Sequence, residues 1–367
     1  ASEETSSDAG IILAGTESVI GKFRFTATNE EITVNKMDIF ISSSTSAVPT
    51  STTNYAVDEV PIIKLYEGIL QIGAVGGYPV TNSGASSGVA FINELGWKVP
   101  KDGNKILTIK GFLNTIAQGA DTGASVYSHI LATEFEAQGA TAKDTTIDGA
   151  SSQERIVYKT KPAITVTAVP GAKLGSGANN VLRFKIAADS AEKISWKKIS
   201  LKVSMTGATM SAVDAAPGTT GNVKITPIGE TALNIVSAYS AGGTASSSQN
   251  TIPGGQTGYV SLVLSSARNI SAGQSEEYDA ELDFVGLNAT AGQAYGKFQL
   301  HLQETDNETS SGWFGIETVS GGPSTADGQP SFIWSDNSDT SHSETTLDWN
   351  NGRYVEILPS NQLTVSN

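Results

Sequence analysis

One stretch of this sequence occurs twice, and it limits the fold more than any other feature. The first copy spans residues 21–42, GKFRFTATNEEITVNKMDIFIS; the second spans 182–204, LRFKIAADSAEKISWKKISLKVS. An offset of 161 residues puts Phe23 on Phe184, Phe25 on Ile186 and Ala27 on Ala188. One extra residue, Lys193, moves the offset to 162, and then Ile32 meets Ile194, Lys36 meets Lys198 and Met37 meets Ile199. Ile39 and Ile41 fall on Leu201 and Val203. Each copy reads as a hairpin of two strands, apolar at every second position and joined by a polar turn containing an acid. Alternation with one wet face belongs to antiparallel sheet, because a parallel sheet is covered on both sides. A period of this length is too long for a solenoid and reads as duplication of a whole domain.

Composition agrees with an all-β chain. Of 367 residues, 38 are Gly and only 16% are charged, which suits short strands joined by turns and argues against a helical protein. The net charge of −14 disfavours binding to nucleic acid or to an anionic membrane surface. No run of 18 apolar residues exists, so no membrane insertion by a helix is expected. The absence of Cys excludes a disulfide scaffold and Cys-based metal sites. A start at Ala1 with ASEETSSD, lacking an initiator Met, is what a mature secreted chain looks like.

The spacing predicts two tandem immunoglobulin-like β-sandwich domains, residues 1–161 and 162–367. Residues 105–113 (KILTIKGFL) and 277–285 alternate alike, and residues 223–228 take the place of 62–66. The second domain carries an insertion over about 311–351 that the first lacks.

No catalytic constellation is legible. His129, His301 and His342 are the only histidines and show no metal-ligand spacing. His129 and His301 occupy similar places in the two repeats, inside strands, which favours packing. Asp336 and Asp339, with Asp306 and Glu308, are oxygen donors that calcium would accept, although neither run fits the twelve-residue calcium loop. The plainer reading of both runs is a solvated turn. Trp313, Trp334 and Trp349 cluster with Phe314, Phe332 and Tyr354; such aromatics either stack on surface glycans or hold an insertion down. Alternation of Phe332 with Trp334 favours core. Asn269, Asn288 and Asn307 match the N-glycosylation pattern at near-chance frequency.

The C-terminal stretch carries a resemblance. Phe332, Trp334, Ser335, Asp336, His342, Ser343, Asp348, Trp349, Asn351, Gly352, Leu358 and Pro359 form the pattern F-x-W-S-D…H-S…D-W-x-N-G…L-P. This segment resembles the closing segment of predicted secreted β-rich surface proteins of ultrasmall candidate-phyla bacteria. The duplicated stretch is similar to the F-x-F-T-A-x-N-E-x-I-x-V segments found there. The resemblance implies a surface-exposed, multi-domain structural protein and carries over no catalytic residue.

The expected function is therefore that of a non-enzymatic, secreted subunit of a cell-surface filament or layer, with copies of itself as partner and no resident cofactor unless calcium. The alternative is an adhesin or carbohydrate-binding protein. Polar ASEETSSD stands where the second domain has AITVTA (163–168), so the first domain's edge looks open. Leu363 and Val365 are spaced like Ile164 and Val166, which suggests donation of the C-terminal strand to the next subunit beside Ile11, Ile12 and Leu13. Pairing of that strand within its own domain is the commoner outcome and the favoured one.

Overall fold

Alternating apolar residues give each strand one face to bury, and two sheets facing each other satisfy that need with a shared core. The computed structural model describes residues 2–3, 9–43, 56–82, 88–141, 143–211, 223–242, 251–288, 292–301, 332–340, 342–343, 346, 348–357 and 363–367. They fall into two compact units, residues 1–159 and 160–367.

The first unit contains β1 (Ser2–Glu3), β2 (Gly10–Leu13), β3 (Glu17–Thr26), β4 (Ile32–Ser42), β5 (Ile62–Glu67), β6 (Leu70–Ile72), β7 (Gly88–Ile92), β8 (Asn104–Phe112), β9 (Ser125–Gln138) and β10 (Arg155–Tyr158). One sheet runs β1-β3-β8-β5-β6 and the other β2-β10-β9-β4-β7. Phe23 lies opposite Leu107, and Ile109 opposite Leu65; these side chains meet Met37, Ile39, Ile130 and Phe135 of the second sheet in one core. Gly21 sits where the sheets approach, and a Cβ there would fall 2.1 Å from Ser128 Oγ. The neighbours of β3 and β4 are those of the immunoglobulin sandwich. One difference stands out: β7, beside β4, follows β5 in the chain rather than preceding it.

The duplicated stretch is not a hairpin. β3 and β4 belong to opposite sheets, and the turn between them, with Asn29 at φ 72°, carries the chain across the sandwich. Alternation specifies which face a strand buries, not which sheet it joins; that is decided by the strands that occupy its edges.

The second unit repeats this plan. It contains β11 (Pro162–Thr167), β12 (Gly177–Ala188), β13 (Ile194–Thr206), β14 (Val223–Pro227), β15 (Ile235–Gly242), β16 (Thr257–Ile270), β17 (Ser275–Val285), β18 (Tyr295–His301), β19 (Phe332–Ser335), β20 (Trp349–Asn351), β21 (Glu356–Ile357) and β22 (Leu363–Ser366). β21-β11-β12-β17 form one sheet, with β14 also on β17; β15-β16-β13-β18-β22 form the other. β19 adds to β13, and β20 to β19, so the described part of the insertion is built into this sheet.

At both chain ends the strands pair within their own unit, which for the C-terminal strand is the favoured reading rather than donation. β22 pairs within its own unit, Tyr295 opposite Ser366 and Phe298 opposite Leu363, with Val365 buried. Its counterpart in the first unit is β10, which pairs with β9 as β22 pairs with β18, and not β11. A two-residue spacing of apolar side chains is common to every half-buried strand, so it could not identify which strand LTVS matched. Ile11, Ile12 and Leu13 are likewise used internally: β2 pairs in parallel with β10, Ile11 opposite Ile156 and Ile12 opposite Val157. The polar start does supply an edge strand, Ser2 opposite Arg24 and Glu3 opposite Phe23.

Candidate functional sites

The closing segment is built inward. All four side chains of β19 are buried, Trp334 opposite Trp196 and Ser335 opposite Ser195. On the other face Ile333 packs with Trp349 and Ala267. Trp334 Nε1 donates to the Asn351 carbonyl at 3.0 Å. Asp348, 1% exposed, accepts hydrogen bonds from Ser335 Oγ (2.8 Å), His342 Nδ1 (2.8 Å) and Thr346 Oγ1. The Trp349 ring stacks on the His342 imidazole with centroids 4.9 Å apart.

A serine, a histidine and an aspartate in one network raise the question of nucleophilic catalysis. The geometry answers it: Ser335 gives its proton to Asp348 rather than to the imidazole, and its side chain is wholly buried. Activation requires the serine to face the base and a substrate to reach it. The network instead ties the loop after β19 to β20. Sequence reasoning missed this pair, although the six-residue separation of His342 and Asp348 within one polar loop was the available signal. The described tryptophans form no platform, because Trp334 and Trp349 are both buried. Trp313 and Phe314 lie outside the described residues.

The carboxylates proposed for calcium do not converge. Asp336 is buried and its Oδ1 accepts the Ser338 N–H at 3.1 Å, closing its own turn, whereas Asp339 is exposed. Asp306 and Glu308 lie outside the described residues. Among the described residues no group of three or more His, Cys, Asp or Glu gathers to hold a metal. His129 is buried between Ser42 Oγ and Ser151 Oγ, each 2.8 Å from a ring nitrogen, so it bridges β9 to its neighbours. For His301 only the backbone, at the end of β18, is described.

Two surfaces of the first unit face outward instead. The first is the solvent side of β3, β8 and β5, where Lys64 and Lys110 flank the carboxylate of Glu17, Lys22 and Arg24 lie further along β3, and Glu67 pairs with Lys105 at the margin. Glu17 accepts from Lys64 (3.1 Å), Lys110 (3.3 Å) and Tyr66 OH (3.1 Å). Partial burial pushes that carboxyl up, but the three donors outweigh it and hold it below the usual range. Lys64 lies over the Phe112 ring and Lys110 over Tyr66, at 5.0 and 4.3 Å. Beside them a depression of about 600 Å³ is lined in part by Val19, Lys22, Ile106 and Thr108.

The second surface is the turn at the sheet's far edge. Ile69 is fully exposed at 101%, Val75 at 87% and Leu70 at 65%. This turn is braced rather than loose. Gln71 Nε2 donates to the carbonyls of Ala74 (2.8 Å) and Val75 (2.9 Å), and the Ala74 N–H donates to Tyr78 OH.

No family model matches the chain, and no curated protein does. Among solved structures, the C-terminal domain of the Streptococcus agalactiae AgI/II polypeptide BspA aligns at 9% identity and a TM-score of 0.18, over 80% of this chain and 90% of that one. The C-terminal domain of the Streptococcus pyogenes antigen I/II-family protein AspA aligns at 9% and 0.19 over the same shares. The S. aureus collagen adhesin CNA aligns at 12% and 0.14, over 80% and 84%. With TM-scores this low, nothing about function follows from these likenesses.

Proposed function

We propose that this chain is a structural subunit of an extracellular surface assembly that associates with copies of itself through a β-sheet edge. The observation that supports it is the turn of Ile69, Leu70 and Val75 beside β6. Short edge strands, charge, Pro or a covering element blunt an edge, and β6 is itself short, so the contact rests on the apolar side chains of the turn rather than on backbone pairing. Here Leu70 of the short edge strand, with Ile69 before it and Val75 after it, points outward on a turn held in shape by Gln71 and Tyr78. Exposing large apolar side chains on an ordered turn fits a surface kept for contact. The histidines whose side chains are described, His129 and His342, are engaged within their own unit, consistent with a role without catalysis.

Replacing Ile69 and Val75 together by Lys tests the reading. Both side chains are exposed, so the melting temperature should stay within about 2 °C of wild type, the scale of surface substitutions. Sedimentation and electron microscopy should show loss of the assemblies that wild type forms at high concentration. Assemblies that persist in the double variant would remove this edge from the account, and a wild type that stays monomeric would remove self-association altogether.

A further inference from the structure

The duplication allows the same face of the two units to be compared residue by residue. Leu107 of β8 lies opposite Phe23, and Tyr278 of β17 lies opposite Phe184, so the two strands correspond. Both ladders also skip one residue at the same place, between Gly21 and Val19 in the first unit and between Leu182 and Asn180 in the second. The core-facing residues are of like kind. The outward residues are not: Ile106, Thr108, Lys110 and Phe112 in the first unit become Glu277, Asp279, Glu281 and Asp283 in the second.

The neighbouring strands complete two faces of unequal charge. On the first unit the described outward side chains of β3, β8 and β5 include Lys22, Arg24, Lys64 and Lys110 with the carboxylate of Glu17. On the second unit Arg183, Lys185 and Lys224 stand against four carboxylates. Two of those four are matched internally: Asp279 holds Arg183 through bonds of 2.7 and 2.8 Å, and Lys224 meets Glu281 at 2.6 Å. A chain with net charge −14 thus keeps a cationic, aromatic-lined sheet face in one unit and an acidic central stripe on the equivalent face of the other.

We infer that the basic face of the first unit docks on the acidic face of the second unit in another copy of this chain. This rests on the self-association proposed above and gives it a direction. The contact joins two different patches, so it is heterologous: it repeats from copy to copy and ends in a ring or a filament according to the rotation at each step. Three strands about 4.8 Å apart and nine residues long offer roughly 400–500 Å² per partner, a small interface. Such a contact is weak, reversible and sensitive to salt, because charge complementarity mostly sets partner choice and association rate.

Charge reversal tests it with intact chains. One variant carries Lys22→Glu with Arg24→Glu, and the second carries Glu277→Lys with Glu281→Lys. Alone, each presents two faces of like sign, and association at low salt should fall at least tenfold by sedimentation velocity. Mixed one to one, their faces are complementary again, and association should return in alternating copies. Wild-type association should also weaken between 50 and 500 mM salt on the order expected from screening. Variants that associate alone as wild type does would overturn the inference while leaving the β6 edge in place. It fails equally if folded variants do not recover on mixing, or if wild type stays monomeric at every concentration, and only the last result also removes the proposed self-association.

Discussion

Replacing Trp334 by Ala should destabilise the second unit by about 3–5 kcal/mol, the range for deleting a large buried aromatic. Trp334 has no exposed surface and lies opposite Trp196 across the β13–β19 pair. Its indole N–H donates to the Asn351 carbonyl, so the substitution also removes a buried hydrogen bond. Calorimetry should show the transition of the second unit lowered and that of the first unchanged. A tryptophan serving a ligand would give the opposite pattern, with stability kept and binding lost. An effect below about 1 kcal/mol would mean that the site collapses around the void or that β19 contributes little to the unit.

Much of the fold was legible because the chain is written twice. Phe23, Phe25, Phe184 and Ile186 are buried as the alternation required, and Val223–Pro227 does take the place of Ile62–Glu67 beside the equivalent strand. Sheet membership was less accessible. The pairing of β3 with β8, which sets Phe23 opposite Leu107, is a long-range choice that local alternation does not encode, and so the crossing from β3 to β4 looked like a hairpin. The favoured pairing of the C-terminal strand within its own domain holds, but its match to the strand at Ile164 is wrong for a related reason. Ile164, Val166, Leu363 and Val365 share a spacing, but only the partner strands reveal that β22 matches β10.

The surfaces were harder to read than the core. Phe332 and Trp334 announced themselves as core by alternating along one strand. The basic face did not, because Lys22, Arg24, Lys64 and Lys110 come from three strands and become neighbours only when β8 lies between β3 and β5. The apolar residues of the exposed turn, Ile69, Leu70 and Val75, carry no sign of exposure in the sequence. Asp348 was assigned to a sequence pattern rather than to His342, since a loop gives no period from which to infer who meets whom.

The first unit should lose stability as pH rises from about 5 to 8, through Glu59. This residue ends a four-residue helix, Ala56–Glu59, and is 3% exposed. Burial pushes its carboxyl up to about 7, against hydrogen bonds from its own backbone and that of Asp121, which favour the charged form. A folded-state value above the ordinary 4.5 means that the folded chain holds the proton where the unfolded chain has released it. The stabilisation is fully present below about 4.5 and is lost as pH climbs through about 7. A difference of this size corresponds to about 3 kcal/mol at its limit. Glu17 and Glu67, whose carboxyls are held below the usual range, act in the opposite direction and at lower pH, so the wild-type curve alone would mix these effects. The difference between wild type and Glu59→Gln isolates the one group. Trp97 is the only tryptophan before residue 160 and reports urea unfolding of this unit. The variant's advantage over wild type should grow by about 3 kcal/mol between pH 4.5 and 8 and level off above it. A difference that stays flat across that window would show that the Glu59 carboxyl is solvated.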